Sequence, residues 1–358
     1  MRVFWFLCGN EATPSSRIHG IKVHDKLLRM GYGSQIVHKA PRFMEDLYYP
    51  AWIVGLFRFF ISRNDTVVFQ KVNGARTVRL LRSLKSKGIR SVFIDCDLPL
   101  KKEMALLCDV TICPSVELFN RYQEVGVSNV YCIPDAVESF MPPTSSVGKK
   151  KTILWFGKSG QGKWEGLEWF RQEVFPKVMD KWKFVTVSDH KDSTVKWEAS
   201  TAAEIVNKAD LVIIPVSQND SDQVKSANRC TQSMALGVPV LCNYTGSYRE
   251  VIVDSHNGMI SSDKNEWIAF IRRMEDDQLL ATTKANAFRT AEGFSMDNLV
   301  GQWISSLKID KGDTSPSYSI LLFARLLAFQ HSVKKFLSRL KKKVSARPQI
   351  QPVNERIK

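Results

Sequence analysis

Short apolar runs recur along this chain, each closed by glycine, proline or polar residues and followed by a stretch whose apolar positions return every three to four residues. The runs at 3–8, 34–38, 65–70, 91–94, 110–113 and 130–133 lack the polar alternation of a sheet with one wet face and read as buried strands. Residues 17–30, stopped by Gly31, and 77–87 carry the helical period. The alternation then restarts, with strands at 152–156, 182–187, 211–215 and 240–242 and helices at 164–175, 201–208 and 229–235. Between the two series, 141–151 (MPPTSSVGKKK) combines turn formers with cations and reads as an interdomain linker. The pattern predicts an α/β protein of two doubly wound domains, 1–140 and 152–293. A closing helix at 294–311, a second helix at 318–345 and a disordered tail at 346–358 complete the layout.

Residues 225–258, KSANRCTQSMALGVPVLCNYTGSYREVIVDSHNG, place loop, helix, strand and loop in direct succession. Ser226 or Asn228 is positioned to cap a helix starting near Arg229, and Gly237 to end it in a left-handed conformation. Amides at such a helix start are unsatisfied and carry partial positive charge, so a phosphate fits there with Lys225 and Arg229 on either side. The same pattern also describes an ordinary αβ step of a parallel sheet. Residues 157–163, GKSGQGK, form a glycine-rich loop directly after a strand. Backbone amides approach phosphate closely in such a loop, and Lys158 and Lys163 can both reach one diphosphate. The Walker A pattern fails, because Trp164 follows Gly162-Lys163.

Net charge looks at first like a nucleic-acid signal, at +15. Residues 318–358, however, hold ten Lys/Arg and one acid, and so account for nine of those fifteen charges. A phosphate-binding body would spread its cations, so no nucleic-acid partner is expected. In 318–345 Ile320, Phe323, Leu327, Phe336 and Leu340 fall largely on one side and Lys334, Lys335 and Arg339 opposite. Such a helix lies on an anionic membrane surface, or else docks on a partner or on the body. Residues 48–61, YYPAWIVGLFRFFI, are too short to cross a bilayer and read either as a core helix or as a membrane-facing patch. The seven cysteines have no C-x-x-C spacing and suit a reducing compartment. A cytoplasmic protein peripheral to the inner face of the membrane is the expected setting.

Candidate chemistry also appears in the first half. The loop GNEATPSSRIHG at 9–20 places Gly9, Arg17 and His19 at the carboxyl end of the first strand, where open parallel sheets bind ligands. It does not match G-x-G-x-x-G, and Arg17 and His19 also suit a solvated helix start. Asp95-Cys96-Asp97 is a D-x-D at a strand end, an arrangement able to hold a divalent ion and also an ordinary strand-end composition. It and Lys71-Val72-Asn73 are candidates by position for a general base.

Several of these pieces appear in a known order: Gly157-Lys158 and Lys163, then Lys225-x-x-Asn228-Arg229, Gly237-Val-Pro-Val-Leu241, Gly246-x-x-x-Glu250 and Asn257-Gly258. With Ser16-Arg-Ile-x-Gly20, Ile133-Pro-Asp-Ala-Val137 and Phe294-Ser295…Trp303, the chain resembles retaining GT-B glycosyltransferases, particularly glycosyltransferase family 4 and its relatives. The resemblance implies two Rossmann-like domains facing a cleft, an acceptor domain first and a donor-nucleotide domain second. It implies that Lys158 and Lys163 neutralise the donor diphosphate, that the amides around Ala227, Asn228 and Arg229 hold phosphate, and that Glu250 and the loop from Gly246, beside Gly157, contact the donor. The implied reaction is sugar transfer from a nucleotide-sugar to a lipid-linked or polysaccharide acceptor, without a metal or other cofactor. Gly9, Arg17, His19 and Asp95 fall on the acceptor side.

One departure stands out. The family carries two glutamates eight positions apart, and the corresponding residues here are Val224 and Gln232. The Gln232 amide can still bond a ribose hydroxyl, whereas Val224 offers no hydrogen bond to a sugar. A catalytically silent GT-B module that binds sugar or a partner, and a metal-dependent D-x-D transferase, are the alternative readings.

Overall fold

The computed structural model describes residues 1–47, 56–145, 148–157, 163–198, 200–216, 219–243, 246–312 and 314–325, with only the backbone at 163–165. The buried runs pair into two six-stranded parallel sheets. In the first, β1 (Arg2–Leu7), β2 (Gly33–Lys39), β3 (Thr66–Gln70), β4 (Arg90–Ile94), β5 (Val110–Cys113) and β6 (Val130–Cys132) lie in the order β2-β1-β3-β4-β5-β6. In the second, β7 (Lys151–Phe156), β8 (Trp182–Ser188), β9 (Val195–Lys196), β10 (Leu211–Ile214), β11 (Val240–Cys242) and β12 (Gly258–Ile260) lie in the order β12-β11-β10-β7-β8-β9. Helices cover both faces of each sheet, which is why strands such as β3 are buried from end to end. The fold class expected from the sequence is the one found: two doubly wound α/β domains.

Strand order reverses between β1 and β3 in the first sheet and between β7 and β10 in the second. Adjacent connections diverge at such points and leave a crevice at the carboxyl ends of the strands. The loop from Gly9 and the turn after Gln70 flank the first crevice; Gly157 and the segment leading to Asn228 flank the second.

The domains are stitched by the segment after β6, where the Val137 amide donates to Phe294 O at 2.9 Å and the Met141 amide to Ala235 O at 3.0 Å. The closing helix, Met296–Leu307, then returns to the first domain and buries Val300, Trp303 and Leu307 against Val3, Trp5, Leu7 and Leu27.

Local departures from the expected elements have simple causes. The first helix begins at Pro14 rather than Arg17, running through Pro14–Ser16 and a π-helical turn, Arg17–Ile21, into Lys22–Arg29. Proline at the first helical position has its φ preset and loses no needed donor. The helix expected at 164–175 is regular over Lys163–Trp169 and tightens through a π turn into a 3-10 turn, Phe175–Lys177, around Pro176. Of the helix expected at 318–345, residues 318–325 are helical, and Ile320 and Phe323 are buried in the first domain's core. The described part of that helix thus docks on the body. Its remainder, the tail and residues 48–55 lie outside the described residues. No helix among those described is long and apolar enough to cross a membrane.

Trp303 is 1% exposed and is the largest side chain on the closing helix. Trp303→Ala is expected to cost about 3–5 kcal/mol, read as a lowered denaturation midpoint in urea.

Candidate functional site

On the second domain, the site is built around the start of the helix Asn228–Ala235. Its N-cap is Ala227, and no side chain caps it. Ser226, one of the two expected caps, instead directs its Oγ to Asp135 Oδ2 at 2.7 Å. Gly237 does end the helix in the left-handed region, at φ 72°. Arg229 reaches from the first turn to the end of β7, where its Nη1 donates to Phe156 O at 3.4 Å. A methyl group on Gly157 would lie 3.4 Å from that nitrogen, so the glycine brings the guanidinium against the start of the glycine-rich loop. Burial raises the pKa of the Tyr248 phenol, against the pull of the nearby Arg229 charge. Lys163 opens the helix Lys163–Trp169, and Lys158 lies outside the described residues.

Other residues singled out on this side have defined partners. Lys225 Nζ sits 3.1 Å from Asp222 Oδ1, and Lys225 O accepts from Ser247 Oγ at 2.6 Å. Gln232 Oε1 accepts from the Glu138 amide at 3.1 Å while its Nε2 donates to Ala136 O at 3.4 Å, so both ends of this amide hold the interdomain segment. Gly246 faces Glu117 across the domain boundary. Partial burial raises the pKa of the Glu250 carboxylate, opposed by a hydrogen bond from the Val116 amide. Asp135, Ala227, Asn228, Ser247 and Glu250 line one narrow crevice between the domains.

The first domain presents a more buried set. His19, 3% exposed, places Nε2 2.6 Å from Asp135 Oδ1, and the Trp303 ring lies 6.4 Å from its own. Burial alone would lower the pKa of His19, but Cys96 and the Asp135 carboxylate raise it well above the ordinary histidine range. Burial would raise that of Asp135, and His19, with Ser226 and Asn228 alongside, holds it below the usual carboxylate range. The Cys96 thiol is pushed up to about 11 by burial against the pull of His19. Neighbouring Asp95 is buried and accepts from the Tyr122 hydroxyl; burial raises its pKa to about 6. Asp97 pairs with Lys71, which occupies left-handed backbone at φ 56°. The two D-x-D carboxylates are therefore engaged by different partners. Arg17 makes a bidentate pair with Glu138, at 2.7 and 2.9 Å, and Gly9 packs where a methyl group would lie 2.2 Å from Thr13 Oγ1.

Two features escape reading along the chain. Asp135 is visible in sequence only as part of an Ile-Pro-Asp turn, yet it joins His19 to Ser226. Val224, standing where the resemblance places an acid, is 0% exposed and belongs to the core of the first domain, its carbonyl accepting from Ser115 Oγ. A third feature, the stack of Trp197 on Phe156 with ring centroids 6.1 Å apart, depends on the short edge strand β9.

Residues 150–277 match the family model described as glycosyl transferases group 1. The second domain is thus similar to group 1 glycosyltransferase domains. The two-domain GT-B fold is shared with solved structures at low identity. TarM superposes with a TM-score of 0.58 at 13% identity over 71% of this chain, which spans only 57% of that one. Anabaena HepE in complex with UDP gives 0.61 at 13% over 86% of this chain and 100% of its own. Sucrose-phosphate synthase from Thermosynechococcus elongatus gives 0.63 at 12% over 86% and 98%. No curated protein sequence matches the chain.

Within this GT-B frame, His19→Gln leaves Asp135 buried without its charge partner and is expected to cost about 3–5 kcal/mol. Because the folded pKa of His19 is raised, its contribution is full below about pH 6.5 and is lost as pH rises through the folded value. Thermal unfolding of both proteins as a function of pH should show a gap that narrows on the alkaline side and again in acid, where Asp135, held below the usual carboxylate range, takes up its proton. A gap independent of pH would assign the loss to packing.

Proposed function

We propose that this protein transfers a sugar from a nucleotide-sugar to a lipid-linked or polysaccharide acceptor, with retention of configuration, at the cytoplasmic face of the membrane during cell-surface polysaccharide synthesis. The observation that carries the reading is Arg229: inside a domain similar to group 1 glycosyltransferase domains, it brings a guanidinium and an uncapped helix start against Gly157 at the second switch point. Departure of a nucleoside diphosphate builds negative charge there, and preorganised donors and cations stabilise it. Lys158 and Lys163 are assigned to neutralising the donor diphosphate on the resemblance alone, and no metal is invoked. Gln232 takes the ribose once it leaves Ala136 and Glu138. The acceptor lies towards Gly9, Arg17, His19 and Asp95. UDP is the first nucleotide to test, since HepE binds it.

A silent, sugar-binding module is the second reading, favoured by one observation: Val224 is buried where an acid would contact donor sugar. Nucleoside diphosphate release from a panel of nucleotide-sugars with membrane lipid extract separates the two, and silence across donors and acceptors would sink the enzymatic reading. Lys163→Ala is expected to reduce turnover by roughly a hundredfold or more, with the thermal midpoint unchanged. Arg229→Ala is expected to weaken nucleoside diphosphate binding about ten- to a hundredfold by calorimetry. Activity that collapses with chelator would reinstate Asp95 and Asp97 as metal ligands.

A further inference from the structure

Five of the fourteen large apolar side chains exposed among the described residues come from two segments far apart in sequence: Leu56, Phe59 and Phe60, and Tyr318 and Leu322. The fold brings these segments together. The Phe323 ring, buried from the helix at 318–325, lies 5.4 Å from that of Phe57 and 5.9 Å from that of Phe60. Tyr318 and Leu322, one helical turn apart, remain 85% and 69% exposed on the outer side, while Phe59 is 61% exposed. Two cations rest on Phe59: Arg58 Cζ lies 4.7 Å and Lys87 Nζ 5.0 Å from its ring centroid. Lys87 Nζ also donates to Arg58 O at 2.7 Å, fixing the cluster. Exposed Arg325 follows on the helix, and nine more Lys/Arg lie beyond it in 326–358.

We propose that Leu56, Phe59, Phe60, Tyr318 and Leu322 form a single face that enters the headgroup region of an anionic bilayer. The inference rests on the membrane part of the reading above and deepens it, naming the surface that the sequence left divided between 48–61 and 318–345. An apolar knob fringed by cations matches that interface: rings and aliphatic tips reach the acyl boundary while guanidinium and ammonium groups stay among lipid phosphates. A second copy of the chain is a poorer occupant, because a twofold contact would set the same cations against each other.

The full chain is tested by co-sedimentation with vesicles of phosphatidylcholine alone and with about 30% phosphatidylglycerol, a fraction chosen to give an anionic surface. Phe59→Ser with Leu322→Ser keeps every charge and is expected to weaken partition onto anionic vesicles by roughly tenfold or more, with nucleoside diphosphate binding unchanged. Wild-type binding that survives this double substitution overturns the proposed face while leaving membrane association standing. Wild-type protein that binds no vesicle overturns the membrane reading itself. As an independent readout, Tyr318→Trp emission should be quenched by brominated lipid, and an unquenched signal overturns the insertion. A doubled solution mass that Phe59→Ser returns to that of one chain would assign the face to self-association instead.

Discussion

The ion pair between His19 and Asp135 is the point at which three parts of the chain become one object. His19 belongs to the helical turn after β1, Asp135 to the segment leaving β6, and Ser226, on the same carboxylate, to the loop that starts the helix Asn228–Ala235. Two charges taken out of water are tolerated only with close partners, so displacement of any one of these elements strands the others. Trp303 packs near the imidazole and places the closing helix under the same constraint. The pairs of Arg17 and Lys22 with Glu138 reinforce the joint from its wetter side, where solvent screening makes each worth less.

Around that joint the two walls of the cleft differ in character. The second domain contributes an uncapped helix start and a guanidinium that reaches the end of β7 beside Gly157. The first contributes groups already engaged, Lys71 in an ion pair with Asp97 and Asp95 as acceptor from the Tyr122 hydroxyl. The left-handed backbone of Lys71 sits at the strand-order reversal, in a region that non-glycine residues rarely occupy.

The central strands were legible because burial on both faces leaves a continuous apolar run. The two strands that left no such trace, β9 and β12, are the opposite edges of the second sheet, two and three residues long. An edge buries less and needs no such run. At the site, what could be read was local: the glycine loop, Arg229 and the helix stop at Gly237. What could not be read were the distant partners of particular side chains. Ser226 has the composition of a cap, but a buried carboxylate from the other side of the joint offers its hydroxyl a better-placed acceptor. Gln232 similarly carries the chemistry of a ribose contact while its amide spans Ala136 and Glu138. Neither choice leaves a periodic signature.

Val224 shows how a missing function can become a mechanical one. An acid at that position would have to stay hydrated or find a cation; a valine can be swallowed by the opposite domain, and here it is. Prising the domains apart would expose that side chain, a cost of about 1.5–3 kcal/mol for a fully covered aliphatic group, and would draw the loop that precedes Arg229 along with it. Opening of the cleft and placement of the helix start that carries Arg229 are therefore coupled through this one side chain.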